Sequence, residues 1–168
     1  MTGPAPFLVR VDNRLIHGQV LEAWVPALRV QTLLVADDEA ASDPFAQAAM
    51  GLALGEGLSL EVLSLAAAAA RLGPGGRGYA PGTLLLLREV ASAVALSKAG
   101  VALPRLNLGN VHFRAGRRAV SATVYLDDAE LSSLEALGRA GCEIEMRAVP
   151  SDQPLFLPAL RARFAAQQ

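Results

Sequence analysis

Residues 6–28 read PFLVRVDNRLIHGQVLEAWVPAL and change character twice. PFLVRV, residues 6–11, is a short bounded apolar run with little alternation, as expected of a strand buried on both faces. Asp12 to Gly18 gathers charged and flexible residues and reads as a loop. From Gly18 to Leu28 the apolar residues Val20, Trp24 and Leu28 recur every four positions, one buried stripe of a helix. Strand, loop and helix in that order are the repeating unit of an open α/β sheet.

The unit recurs along the chain. TLLVAD (32–37), LSLEVL (58–63), TLLLLRE (83–89), RLNLGNV (105–111) and CEIEMRAV (142–149) are further strands. Between them SDPFAQAAMGLAL (42–54) is a helix capped by Ser42 or Asp43, with Pro44 in its first turn. SLAAAAARLG (64–73) is a helix stopped by Gly73, and a further helix runs to about Ala99. DDAELSSLEALGRAG (127–141) is a capped helix ending at Gly141. GPGGRGYAPG (73–82) is a surface loop, AVSATVYL (119–126) a short excursion, and the tail from Pro154 to Gln168 a closing helix. The expectation is one domain over residues 1–168, a three-layer α/β/α sandwich with a mainly parallel central sheet of about six strands.

Composition narrows the function classes. The 168 residues carry a net charge of −1, which argues against nucleic acid or an anionic membrane as partner. Aromatic residues make up only 5% of the chain, too few for a base- or sugar-stacking surface. Cys142 is the only cysteine, so no internal disulfide forms and a cytosolic home is expected. With two histidines besides, no metal site is expected. MTGPAPFLVR lacks the pattern of a signal peptide, and no apolar run reaches the roughly 18 residues of a membrane helix.

The chemistry concentrates in the first loop. In open α/β sheets ligands sit beyond the carboxyl ends of the strands, where loops lead into helix N-termini. Free N–H groups and a partial positive charge make such a terminus an anion site. Gly18 permits close backbone approach and unusual dihedrals, and Arg14 and Arg10 offer guanidinium forks for phosphate oxygens. His17 is a nitrogen nucleophile able to carry a phosphoryl group, and Asp12 can orient either the imidazole or Arg14. Against this stands the plain reading of a loop histidine among ordinary surface charges and turn residues. A histidine phosphatase would need arginine immediately before the histidine, and Ile16 stands there.

VRVDNRLIHGQV resembles the signature RIDDRLIHGQV of enzyme IIB subunits of the mannose/fructose/sorbose family of the bacterial phosphoenolpyruvate-dependent sugar phosphotransferase system. LLVADDEAASDPFAQAAM and the stretch from Leu106 to Pro154 follow that family in order. The resemblance implies a protein-N(π)-phosphohistidine–sugar phosphotransferase. His17 would accept a phosphoryl group from phosphorylated enzyme IIA and pass it to a sugar (mannose, fructose, sorbose or a relative) held by the membrane IIC/IID complex. Arg14 would be the phosphate partner and Asp12 the orienting carboxylate. It implies no cofactor, and a cytoplasmic protein held peripherally at the inner membrane face through IIC/IID. The departure is Asn13, where the signature usually has a second aspartate. A regulatory phosphoprotein of the same fold, without a cognate permease, is the alternative; oligomeric state is left open, a homo-oligomer included.

Other residues invite attention. Gly109, Asn110 and Arg114 are candidates for shaping the crevice or meeting a partner, and His112 could border it. Asp37 and Asp38 suggest magnesium but read better as loop and helix cap. Trp24 reads as core and Cys142 as inert packing.

Overall fold

The computed structural model describes residues 8–167, and Pro6, Phe7 and Gln168 of the expected elements lie outside them. Strands β1 (Leu8–Asp12), β2 (Thr32–Ala36), β3 (Ser59–Leu63), β4 (Thr83–Leu87), β5 (Arg105–Asn110) and β8 (Glu143–Met146) build one sheet. Its order is β3-β2-β4-β1-β5-β8, all parallel, with β9 (Leu155–Phe156) added antiparallel on β8. The sheet therefore has seven strands, one more than expected. The extra strand comes from the tail, where the closing helix begins only at Leu157, with Pro158 in its first turn.

Helices cover both faces. One layer holds α4 (Leu65–Leu72), α5 (Val90–Lys98), α6 (Asp128–Arg139) and α7 (Leu157–Ala165), packed on Val9, Val11, Leu85, Leu87, Leu106, Leu108 and Ile144. On the opposite face lie a π-helical turn (Val20–Trp24) running into α1 (Val25–Leu28), then α2 (Asp38–Ala41) and α3 (Pro44–Ala53). Leu33, Val35, Leu84 and Leu86 meet Val20 and Trp24 there. The every-fourth spacing of Val20 and Trp24 buries both, and Leu28 packs beside them. The excursion is a two-stranded ribbon of β6 (Arg118–Ala119) and β7 (Tyr125–Leu126).

Local sequence explains the element ends. Asp43 accepts from Phe45 N and Ala46 N at the head of α3, and Asp127 forms a reciprocal capping box with Glu130 on α6. Gly141, at φ +98°, follows the end of α6 in the left-handed region where a glycine stop belongs. The glycine-rich segment 73–82 is not wholly superficial. Tyr79 is buried within it and donates its hydroxyl to Ala102 O at 3.1 Å.

This topology positions the site. β1 lies in the middle of the sheet between β4 and β5. The connection from β1 leaves over one face and that from β4 over the other, so their carboxyl ends open a crevice.

Candidate functional site

Asp12, the last residue of β1, is fully buried and gathers five hydrogen bonds on two oxygens. Oδ1 accepts from Arg14 N at 3.0 Å and Arg14 Nε at 3.1 Å. Oδ2 accepts from Arg14 Nη2 at 3.0 Å, Arg10 Nη2 at 3.1 Å and His17 Nε2 at 2.8 Å. Burial alone would push this carboxyl up. The hydrogen bonds from His17 and Arg14, and the Arg10 charge, instead hold it well below the usual carboxylate range. An ionised carboxylate only accepts, so His17 Nε2 carries the hydrogen and the lone pair of the neutral ring resides on Nδ1. Nδ1 has no hydrogen-bond partner among the described residues, and the side chain is 16% exposed.

The loop owes its shape to residues the sequence reading passed over. Leu15, not Gly18, takes the left-handed backbone, at φ +57°, and its side chain is buried. That conformation costs about 1–2 kcal/mol in an L-residue, and burying a leucine offsets it. Leu15 N closes a turn on Asp12 O at 2.9 Å, and Asn13 N donates to Asn110 O at 3.1 Å, pinning the loop to β5. Gly18 sits in ordinary helical backbone, and a Cβ there would meet only Glu22 Oε1 at 3.9 Å. Its bareness leaves the helix start open rather than relieving strain. Asn13 Oδ1 is buried without a partner, so an aspartate in its place would set a second, unsatisfied carboxylate beside Asp12.

Arg10 departs furthest from expectation. It is no rim cation: its side chain is wholly buried, where burial lowers the guanidinium pKa and Asp12 opposes the shift. Nη1 donates to Asn107 Oδ1 at 2.7 Å and Arg147 O at 3.3 Å, and Nη2 to Asp12 Oδ2 and to Gln19 Oε1 at 2.9 Å. Sheet register explains this. Arg10 lies opposite Asn107 on β5, which lies opposite Glu145 on β8, so three polar side chains form one row across the sheet. Asn107 Nδ2 donates to Glu145 Oε1 at 3.2 Å, and Arg147 Nε pairs with Glu145 Oε2 at 2.8 Å. Trp24 lies over Arg10 at one end of the row and over Arg147, its ring centre 5.1 Å from the Arg10 guanidinium carbon and 5.2 Å from that of Arg147, its Nε1 donating to Ala148 O at 2.9 Å. Trp24 is thus core, and no partner can reach it.

Gly109 earns its place against Arg10 rather than against a ligand. It is the bulged residue where Val11 opposes Leu108 and Asp12 opposes Asn110, and a Cβ there would fall on the Arg10 guanidinium. Asn110 contributes its backbone carbonyl. Arg14 remains the reachable cation at 40% exposure, and its Nη2 shares Gln19 Oε1 at 3.2 Å. Gln19 was missed by the sequence reading, although it sits in the same motif. Arg114 is exposed on the loop after β5 and loosely paired to Glu89 at 3.8 Å; His112 is exposed nearby, its carbonyl held by Arg117 Nη1 at 2.7 Å. Neither is hydrogen-bonded or ion-paired with His17.

The remaining candidates serve the fold. Asp37 caps α2 through Ala40 N and holds Arg88 with bonds of 2.9 and 2.7 Å, while Asp38 accepts from Leu65 N at the head of α4. Each carboxylate thus has a partner in the fold, and among the described residues no three His, Cys, Asp or Glu side chains cluster as metal ligands would. Cys142 is buried, its thiol pushed up to about 11 by burial.

The family model for the PTS system sorbose subfamily IIB component matches residues 7–164. The chain belongs to that family. As a IIB component it is a phosphotransferase subunit of the mannose/fructose/sorbose type. It is 32% identical to the N-acetylgalactosamine-specific phosphotransferase enzyme IIB component 1 of Escherichia coli (strain K12), with 94% of this chain and 99% of that protein covered. It is 28% identical to the mannose-specific EIIAB component of the same organism, 48% of whose length is covered against 91% of this chain. The crystal structure of the IIBSor domain of the sorbose permease from Klebsiella pneumoniae superposes with a TM-score of 0.83 at 26% identity, covering 94% of this chain and 96% of that one. Among the described residues no helix of this IIB component is long and apolar enough to cross a membrane.

Proposed function

We propose that His17 takes a phosphoryl group on Nδ1 from phosphorylated enzyme IIA and passes it to a sugar held by a membrane IIC/IID complex. The observation that carries this is the 2.8 Å bond from His17 Nε2 to Asp12, which commits one ring nitrogen and leaves the other without a partner among the described residues. The Nδ1 lone pair forms the new N–P bond as the donor's N–P bond breaks, its electron pair returning to the donor imidazole. The Nε2–H stays on Asp12, so no proton crosses. In the second step a sugar hydroxyl oxygen forms the P–O bond, its proton leaving to a base on the permease side, and Nδ1 recovers its pair. Fusion of an A and a B component in the mannose-specific relative supports IIA as donor. Nothing in the site or its relatives favours a purely regulatory role. The test is transfer of label from phosphoenolpyruvate through Enzyme I, HPr and IIA to this chain, giving one acid-labile, alkali-stable phosphoryl group.

Arg14 is the proposed electrostatic partner of the transferring group. It is exposed, beside Nδ1's imidazole, and anchored only to the loop. Removing such a donor costs about 10² to 10³ in rate. Arg14→Ala is expected to slow phosphorylation on that scale with little change in melting temperature, and a rate within a few-fold of wild type would remove Arg14 from the site.

The encounter with IIA has to be brief, since a carrier that binds tightly cannot turn over. Arg14 and Arg114 are the exposed cations proposed to steer it, Arg10 being buried. Transfer is expected to slow between low and moderate ionic strength, with Arg114→Glu deepening the loss. Indifference to both would assign recognition to apolar contacts, with exposed Phe113, adjacent to Arg114 in the chain, the first to test.

A further inference from the structure

The geometry points to a division of labour between the two arginines on Asp12: Arg10 is a positioning residue that keeps Asp12 on His17 Nε2 throughout the cycle, and this releases Arg14 to follow the phosphoryl group. The inference rests on the reading of His17 given above and goes beyond it by assigning Arg10, Gln19 and Gly109.

The two guanidiniums differ in every respect that governs movement. Arg10 is fully buried, bonded to Asn107, Arg147 O, Asp12 and Gln19, laid over Gly109 and covered by Trp24. Moving it would break four hydrogen bonds and strand the Arg10–Asn107–Glu145 row. Arg14 reaches only Asp12 and Gln19, both within its own loop region, and its Nη1 has no partner among the described residues. Rotating Arg14 away breaks side-chain bonds that water and phosphoryl oxygens replace.

Departure of Arg14 is tolerable only because Arg10 stays. A buried carboxylate left without a cation is strongly disfavoured, and Asp12 would then take up a proton or drop its imidazole. Here Oδ2 retains Arg10 and His17 after Arg14 leaves. The cluster as a whole sets three guanidiniums, the buried Arg10, the largely buried Arg147 and the exposed Arg14, against two carboxylates, Asp12 and Glu145. An arriving phosphoryl group offsets that surplus positive charge on its exposed side, where Arg14 stands. Gln19 Oε1 serves as the common acceptor, keeping both forks in register before transfer and remaining with Arg10 afterwards.

The experiment follows ¹⁵N resonances of the His17 ring and of the Arg10 and Arg14 side chains in the full chain. In the unphosphorylated wild type the ring should show the Nε2–H tautomer. After phosphorylation by IIA the Arg14 signals should move while those of Arg10 stay, a comparison that needs no substitution. Arg14→Ala should keep the tautomer. Arg10→Met, which leaves Asp12 the mobile Arg14 as its cation, should lose it and slow transfer by about ten- to a hundredfold, the scale on which losing the group behind an oriented histidine is felt at metal sites. Gly109→Ala, which displaces the guanidinium while leaving Arg10 in the chain, should do the same. Arg10 signals that shift together with those of Arg14 would overturn the inference. So would a tautomer that scrambles in Arg14→Ala but survives in Arg10→Met and Gly109→Ala. A wild type that takes no phosphoryl group, or a label surviving His17→Ala, would instead sink the reading of His17 itself.

Discussion

Phosphoryl incorporation from IIA is expected to vanish in His17→Ala and to persist at the wild-type level in His112→Ala. The two histidines of the chain differ in what their surroundings ask of them. His17 is locked through Nε2 to an ionised carboxylate, which fixes its tautomer and ring orientation and leaves the Nδ1 lone pair free to act as the proposed nucleophile. His112 is exposed on the loop after β5 and is tied down through its backbone carbonyl. A free imidazole explores both tautomers and many rotamers, and nothing prepares it for in-line attack. The loss in His17→Ala should be complete rather than partial, because the acceptor atom itself is gone. Asp12 keeps Arg10 and both sides of Arg14, so the variant should fold. Retention of acid-labile label in His17→Ala, or its loss in His112→Ala, would refute the assignment.

Asp12→Ala should strike both stability and transfer. Asp12 and Arg10 are buried together, and removing one member of such a pair leaves an uncompensated charge at a cost of about 3–5 kcal/mol. The same deletion frees His17 to change tautomer, and loss of an orienting carboxylate behind a catalytic imidazole costs on the order of 10⁴ in rate. Asp12→Asn preserves shape but must turn an NH₂ toward N–H donors, since both oxygen positions are already occupied by them. A pH titration tests the electrostatic part. The folded carboxyl lies below its unfolded value of about 3.9, so the stability it contributes is fully present above that value. It is lost as pH falls toward the depressed folded value. Wild type should therefore lose stability on acidification below about pH 4–5, and Asp12→Asn should lose less over that range. Equal acid limbs in the two proteins would show that Asp12 is not the group responsible.

How far the site was readable depends on which physics each residue obeys. The signature VRVDNRLIHGQV contains every side chain hydrogen-bonded to Asp12, and Asp12, Arg14 and His17 do converge within one loop. Local spacing suffices there, because residues two and five apart in a tight turn have to meet. Arg10 was misplaced because its charge was read as solvent-seeking. A clue was present: β1, β5 and β8 alternate as VRVD, LNLG and EIEM, whereas β2 and β4 are apolar at nearly every position. Period-two polarity in strands covered on both faces marks a polar row inside one layer. At Gly109 the group in close approach is the Arg10 guanidinium, brought there by sheet register rather than by anything in the local sequence. The left-handed Leu15 had no signal, since leucine is among the residues least suited to that conformation.

Apolar runs of strand length, helix stripes, caps and glycine stops are short-range matters, and from them the chain's own letters specify an α/β sandwich with a charged histidine loop at a strand end. Strand order and register are long-range. Nothing local says that residue 10 will face residue 107 and residue 107 face residue 145, nor that Trp24 will close over Arg10 and Arg147. That alignment turns Arg10 from a candidate phosphate ligand into the buried counter-ion of Asp12. It arises because parallel strands pair across crossovers whose lengths do not encode a register, and the packing of both sheet faces selects it.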